Sequence, residues 1–284
     1  MVTPMTETGV DFDSLKSLIE AQVKGGVDGL VAVGTTGESP TLDAVEHLTV
    51  IKKTIEFANG RVPVIAGTGA NCTREAVYLT REAEEAGADG FLVVAPYYNK
   101  PSQEGVFLHM SEIAKTTRKP IFLYSIPGRC GIEISNRVIV RLREKYPHVC
   151  ALKEAGGRVE KVIDMKRLAG DKISIFSGDD GLTIDFMKEG ANGVISVASN
   201  IIPEKMASMV RLMLEGETEK AQALADFYAP FFKSLFIEPN PVPVKTAMFL
   251  RGMIASSYVR LPLCGMSDEN LEILKNEMGK VGLL

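Results

Sequence analysis

Tryptophan is absent from the 284 residues, and histidine and cysteine are scarce: His47, His109 and His148, and Cys72, Cys130, Cys150 and Cys264. None of them falls in the close pairs that bind zinc or build a redox motif, so no metal is expected and reduced thiols are the default. No apolar run approaches the roughly 18 residues of a membrane span, and the start Met1-Val2-Thr3-Pro4 lacks the basic and apolar regions of a signal peptide. Positive charge is not in excess either. The net charge is −4, which removes any general attraction for nucleic acid or an anionic membrane. With 45% hydrophobic and 24% charged residues the composition is that of a soluble globular protein, and a cytoplasmic location is the expectation.

The most informative stretch is Val149-Cys150-Ala151-Leu152-Lys153-Glu154-Ala155-Gly156-Gly157. An apolar run ends on a lysine and two glycines follow at once, so Lys153 stands where a buried strand gives way to a loop. In an apolar, partly desolvated mouth the charged form of a lysine is disfavoured, and a neutral amine can condense with a carbonyl as a Schiff base. The plainer reading is a lysine that snorkels to water or to a carboxylate such as Glu154.

Around this stretch, short apolar runs alternate with amphipathic segments. Strands are predicted near 27–33, 61–68, 91–95, 121–124, 149–153, 173–177 and 193–197. Helices are predicted over 11–24, 43–57, from a cap at Thr73 to about 86, 102–117, 135–146, 159–168, 180–189, and from Pro203 to Gly216. Gly26-Val27-Asp28-Gly29, Gly87-Ala88-Asp89-Gly90 and Gly190-Ala191-Asn192-Gly193 repeat one form, a C-cap glycine and a tight turn into the next strand. Such alternation means a parallel sheet covered by helices, and seven clear strands plus a possible first one favour a (β/α)8 TIM barrel over residues 1–216. The first strand is the awkward one, since only Met1-Val2-Thr3 precedes Pro4. Either the native start lies upstream or that strand is truncated. Beyond 216 no strand signal remains, and 217–284 is expected to form a helical extension, with helices near 218–236 and 244–254 and a last one capped at Ser267.

In such a barrel the chemistry sits at the C-terminal ends of the strands. Those ends hold Gly34-Thr35-Thr36-Gly37-Glu38, Gly67-Thr68-Gly69, Pro96-Tyr97-Tyr98-Asn99, the segment from Tyr124 to Arg129, Lys153, Ser177-Gly178-Asp179-Asp180 and Ser196. The glycine-bracketed threonines suit a small carboxylate approaching backbone amides; a phosphate cradle and a merely structural turn are the alternatives. Tyr124 is a candidate proton relay or a rim tyrosine, and Arg129 a candidate carboxylate clamp or a solvated charge. Asp179-Asp180 suits a helix cap better than a metal.

Taken together, Gly34 to Ser39, Pro96 to Asn99, Tyr124 to Gly131, Leu152 to Ala155 and Ser177 to Asp180 resemble the pyruvate-dependent class I aldolase family, which includes N-acetylneuraminate lyase. The resemblance runs in order from Val2 to the C-terminal helices. It implies a cofactor-independent enzyme in which Lys153 forms a Schiff base with pyruvate and the Thr35 and Thr36 amides hold its carboxylate. It implies a proton relay of Tyr124, Thr36 and Tyr98, the last reaching across a dimer interface, and a pocket lined by Gly178 and Ile195. Arg129 is similar to the arginine of those members that condense pyruvate with L-aspartate 4-semialdehyde in lysine and diaminopimelate synthesis. A lyase acting on N-acetylneuraminate or a 2-keto-3-deoxy sugar acid, and an inactive carboxylate-binding barrel, are the competing readings. Ser125, where the family usually has Asn, and Gly128, where Ser or Ala is common, are expected to shift the loop that carries Arg129. Ser39, His47, Asn71, Glu75 and Tyr97 correspond to the lysine-effector site of regulated members, but Pro40 and Ala44 depart from it, so weak or absent feedback is expected. A homodimer or homotetramer is the assembly that the resemblance implies.

Overall fold

Short polar side chains start five of the helices by accepting backbone N–H groups left open in the first turn: Asp11, Asp43, Ser102, Ser135 and Ser267. The computed structural model describes residues 1–284, which divide into two compact units, Met1–Val62 with Ser196–Leu284 and Pro63–Ile195.

The first unit begins with a small antiparallel hairpin, β1 (Met5–Thr6) and β2 (Gly9–Val10), then α1 (Phe12–Lys24), β3 (Leu30–Ala32) and α2 (Ala44–Ala58). The second unit alternates throughout: β4 (Val64–Gly67), α3 (Thr73–Glu85), β5 (Gly90–Val94), α4 (Gln103–Ala114), β6 (Ile121–Ser125), a single turn α5 (Pro127–Cys130), α6 (Asn136–Lys145), β7 (Val149–Glu154), α7 (Val159–Ala169), β8 (Ser174–Ser177), α8 (Thr183–Lys188) and β9 (Gly193–Val194). The first unit then resumes with α9 (Pro203–Leu214), α10 (Thr218–Ser234), α11 (Val242–Leu250) and α12 (Asp268–Lys280).

From β4 to β9 every strand pairs in parallel with the next. Buried on both faces, these strands read as continuous apolar runs rather than alternating ones, as in Phe91, Leu92 and Val93 or Ala151 and Leu152. Strand–helix alternation with parallel pairing is the pattern of a TIM-barrel-like β/α fold. The repeated turn motif does what its glycines suggest. Gly26, Gly87 and Gly190 take φ of 75°, 99° and 92°, and each amide donates to a carbonyl three residues back in the preceding helix.

Three local expectations need adjustment. Met1 to Thr3 form no regular strand, so seven parallel strands stand where eight would be complete; yet the stub is placed, with the Met1 amino group donating to Val31 O at 2.7 Å and the Val2 amide to Asn200 Oδ1 at 2.9 Å. The β1–β2 hairpin was unexpected, because two-residue ladders leave no period to detect. Thr73 does not cap α3. It is the first helical residue, and its hydroxyl bonds His109 Nδ1 at 2.9 Å instead.

Candidate functional site

Lys153 is the fifth residue of β7 and pairs in register with Tyr124 on β6 and Phe176 on β8. Its side chain is 9% exposed, and its Nζ lies 4.3 Å from the centroid of the Tyr124 ring. None of the ion pairs in the structure involves it. The plainer sequence reading, a lysine snorkelling to Glu154, does not hold: Glu154 points to the opposite face and pairs with Lys161 at 2.8 Å. The Lys153 amine is therefore held in a dry strand end against a phenol, without a carboxylate to neutralise it.

The neighbouring strand ends complete this wall. The Gly178 amide donates to Glu154 O, the Ala155 amide to Ser125 O and the Ile195 amide to Ser177 O, each at 2.8–2.9 Å, which extends the ladder one step past the strands. A Cβ on Gly178 would sit 2.6 Å from Ala155 Cβ and 3.1 Å from Lys153 Cε. Only glycine lets the backbone at 178 pack this closely against Ala155 and the lysine chain. Asp179 accepts the Gly181 amide at 2.8 Å, the capping role expected of it.

Arg129 lies on α5, exposed, five residues past Tyr124. Tyr98 follows β5 with φ +72° and is 87% exposed, so in the single chain its ring is not gathered with Lys153 and Tyr124. Beside it, Tyr97 is half-buried, and burial together with the nearby Glu75 carboxylate raises its phenol above the usual range. Asn99 Nδ2 donates to Asn71 O at 3.0 Å, so Asn71, Glu75 and Tyr97 occupy one neighbourhood. Cys130 is buried and its thiol is pushed up to about 11, which keeps it protonated and unreactive.

In the other unit, Thr35 and Thr36 form the middle of the turn that follows β3. The Gly37 amide donates to Gly34 O at 3.0 Å and the Glu38 amide to Thr35 O at 3.1 Å. Gly37 is forced, because a Cβ there would stand 2.8 Å from Val33 Cα. Thr36 Oγ1 accepts from Asn240 Nδ2 at 3.0 Å. The turn is anchored by an ion pair that sequence reasoning missed: Lys245 Nζ on α11 donates to Glu38 Oε1 at 2.6 Å and to Tyr258 O at 2.7 Å, and both charged side chains are fully buried. The signal was present, a lysine within the apolar run Val242-Pro243-Val244-Lys245, the same signal that singled out Lys153. Ser39 starts a short 3-10 turn, and His47 is buried on α2.

No group of three or more His, Cys, Asp or Glu side chains that would hold a metal ion is present, and no helix is long and apolar enough to cross a membrane.

Comparison with known proteins places this arrangement. The model of the dihydrodipicolinate synthetase family matches residues 1–280. A 4-hydroxy-tetrahydrodipicolinate synthase of Persephonella marina is 49% identical over 284 residues, covering 100% of this chain and 97% of its own. The crystal structure of dihydrodipicolinate synthase from Aquifex aeolicus superposes with a TM-score of 0.98 at 43% identity, covering 100% of this chain and 96% of that one. The chloride-inhibited dihydrodipicolinate synthase of Acinetobacter baumannii, complexed with pyruvate, gives a TM-score of 0.97 at 42% identity over 100% of this chain and 97% of that one. This chain belongs to the dihydrodipicolinate synthetase family.

Proposed function

We propose that this enzyme condenses pyruvate with L-aspartate 4-semialdehyde through a Schiff base on Lys153. The observation that carries the reading is the buried, ion-pair-free amine 4.3 Å from the Tyr124 ring. The amine adds to C2 of pyruvate, and the carbinolamine loses water to give an iminium. Loss of a C3 proton yields the enamine, whose C3 attacks the aldehyde carbon of the semialdehyde. The amino group of that substrate then displaces Lys153 at C2, which closes the ring and regenerates the free lysine. Each proton transfer needs a hydroxyl of suitable reach, and Tyr124 takes that part.

The remaining roles follow the resemblance. The Thr35 and Thr36 amides hold the pyruvate carboxylate, in a turn kept rigid by Glu38 and Lys245. Gly178 and Ile195 line the pocket of the bound keto acid, with only a glycine fitting at 178 against Ala155 and the Lys153 chain. Arg129 takes the carboxylate of the semialdehyde. Tyr98 joins Tyr124 and Thr36 in the relay by entering a partner subunit, so the working enzyme is a homo-oligomer; a tyrosine held at positive φ and left exposed supports that role, since such a backbone costs about 1–3 kcal/mol. Lysine is at most a weak effector through Ser39, His47, Asn71, Glu75 and Tyr97, because Pro40 and Ala44 depart from the pattern of regulated members.

Steady-state kinetics with pyruvate test the reading, comparing the semialdehyde with cleavage of N-acetylneuraminate and of a 2-keto-3-deoxy sugar acid. Turnover of the semialdehyde alone is expected. Cleavage of either sugar acid without turnover of the semialdehyde would make the enzyme a sugar-acid lyase, and no turnover of any of them would leave a carboxylate-binding barrel.

A further inference from the structure

On the opposite face of the two strands that carry Tyr124 and Lys153 lies a charged cluster that the reaction above does not use. Ser125 and Glu154 pair one step beyond Tyr124 and Lys153 in the β6–β7 register, and strand alternation turns them to the far side. Lys161 of α7 meets both. Its Nζ lies 2.8 Å from Glu154 Oε2 and donates to Ser125 Oγ at 3.0 Å, and all three residues are buried. Two further contacts reach the far end of the Arg129 loop. The Ile134 amide donates to the same Ser125 Oγ at 3.2 Å, and the Glu133 carboxylate stands 3.6 Å from Lys161 Nζ while binding Arg158 at 2.6 Å. Segment 126–133 therefore leaves the end of β6 and returns to it, and one hydroxyl and one ammonium close its base.

A buried ion pair contributes little net stability, because desolvation offsets the attraction, so its use here is better sought in geometry. The tip of the segment is the single turn α5, closed on itself: the Arg129 and Cys130 amides donate to Ile126 O, the Gly131 amide donates to Pro127 O, and Cys130 is buried. These backbone bonds are internal to the turn, so they hold its shape, while the bonds at its base help fix where it stands.

We propose that Lys161 is a positioning residue which, through Ser125 and Glu133, fixes the base of the 126–133 loop and so sets where Arg129 meets the second substrate. The inference rests on the role given to Arg129 above. Lys161 touches no reacting atom; it acts through the loop.

Two variants test it, each with thermal unfolding measured alongside. Ser125→Ala deletes the shared hydroxyl and leaves the Lys161–Glu154 pair in place, so it serves even if Lys161→Met folds poorly. A displacement of ~1 Å costs up to about 10²-fold, so KM for the semialdehyde is expected to rise about tenfold in Ser125→Ala and further in Lys161→Met. The rate and yield of the borohydride-trapped pyruvate adduct are expected to stay as in the unaltered enzyme. Unchanged semialdehyde kinetics in both variants would overturn the proposal, and so would adduct formation falling in step with turnover. Arg129→Ala separates the two layers of the argument. If it leaves the semialdehyde kinetics unchanged, the assignment of the arginine fails; if it raises KM while Ser125→Ala and Lys161→Met do not, only the positioning role fails.

Discussion

Lys153 and Lys245 are both lysines taken out of water at the end of an apolar run, and their surroundings differ in one respect. Lys245 is 0% exposed and saturated, with Glu38 at 2.6 Å and Tyr258 O at 2.7 Å. Lys153 is 9% exposed, has a phenol ring beneath it, and has no carboxylate partner. A lysine locked between a carboxylate and a carbonyl has its hydrogen-bonding capacity taken up and serves the fold, whereas one with an aromatic wall and no acidic partner keeps its nitrogen for a ligand. Burial alone therefore does not single out Lys153 as the proposed nucleophile; the missing counter-charge separates it from Lys245.

Substitutions at the two lysines should break along that line. Lys153→Ala is expected to abolish turnover, with a loss on the order of 10³-fold or more in kcat, while the unfolding midpoint stays near that of the unaltered enzyme. Lys245→Met should do the reverse first: stranding the Glu38 carboxylate in a dry site costs about 3–5 kcal/mol, read by urea unfolding, and pairing it with Glu38→Gln should recover part of that loss. If Lys245→Met proved as stable as the parent and Lys153→Ala unfolded, the comparison would be inverted.

The ring beneath Lys153 sharpens the contrast. Tyr124→Phe keeps the ring under Lys153 and removes only the hydroxyl, so a fall of about 10²-fold in kcat with an unchanged unfolding midpoint is expected if the phenol moves protons. An equal loss of stability and rate would mean that the ring is merely packing.

A smaller effect concerns a group outside the site. Burial holds the His109 imidazole below its usual range, with Thr73 Oγ1 2.9 Å from Nδ1. The unfolded chain takes up that proton first, so stability is full above about pH 6.5 and is lost as the pH falls through 6.5 toward the lowered folded value. Unfolding curves of His109→Gln should be flatter over that acidic interval than those of the parent.

Much of this was legible in the sequence because the β/α alternation writes itself as apolar runs ending in small or polar residues. The run ending on Lys153 is one such signal, and the repeated glycine turns are another. The Lys245–Glu38 pair was not legible, since its members are 207 residues apart and no local pattern joins them. Lys161 was hidden differently: it sits on an amphipathic helix where lysine is ordinary, and only the folded contacts show that it meets Ser125 and Glu154. Tyr98 was legible as a motif residue, but its positive φ and exposure are properties of the folded backbone.

The central claim is that Lys153 is the amine that bonds the keto acid. Incubation with pyruvate and borohydride, followed by peptide mass mapping, tests it directly: one reduced adduct on Lys153 is the expected result. An adduct on Lys245, Lys161 or any other lysine, or none at all, would contradict it.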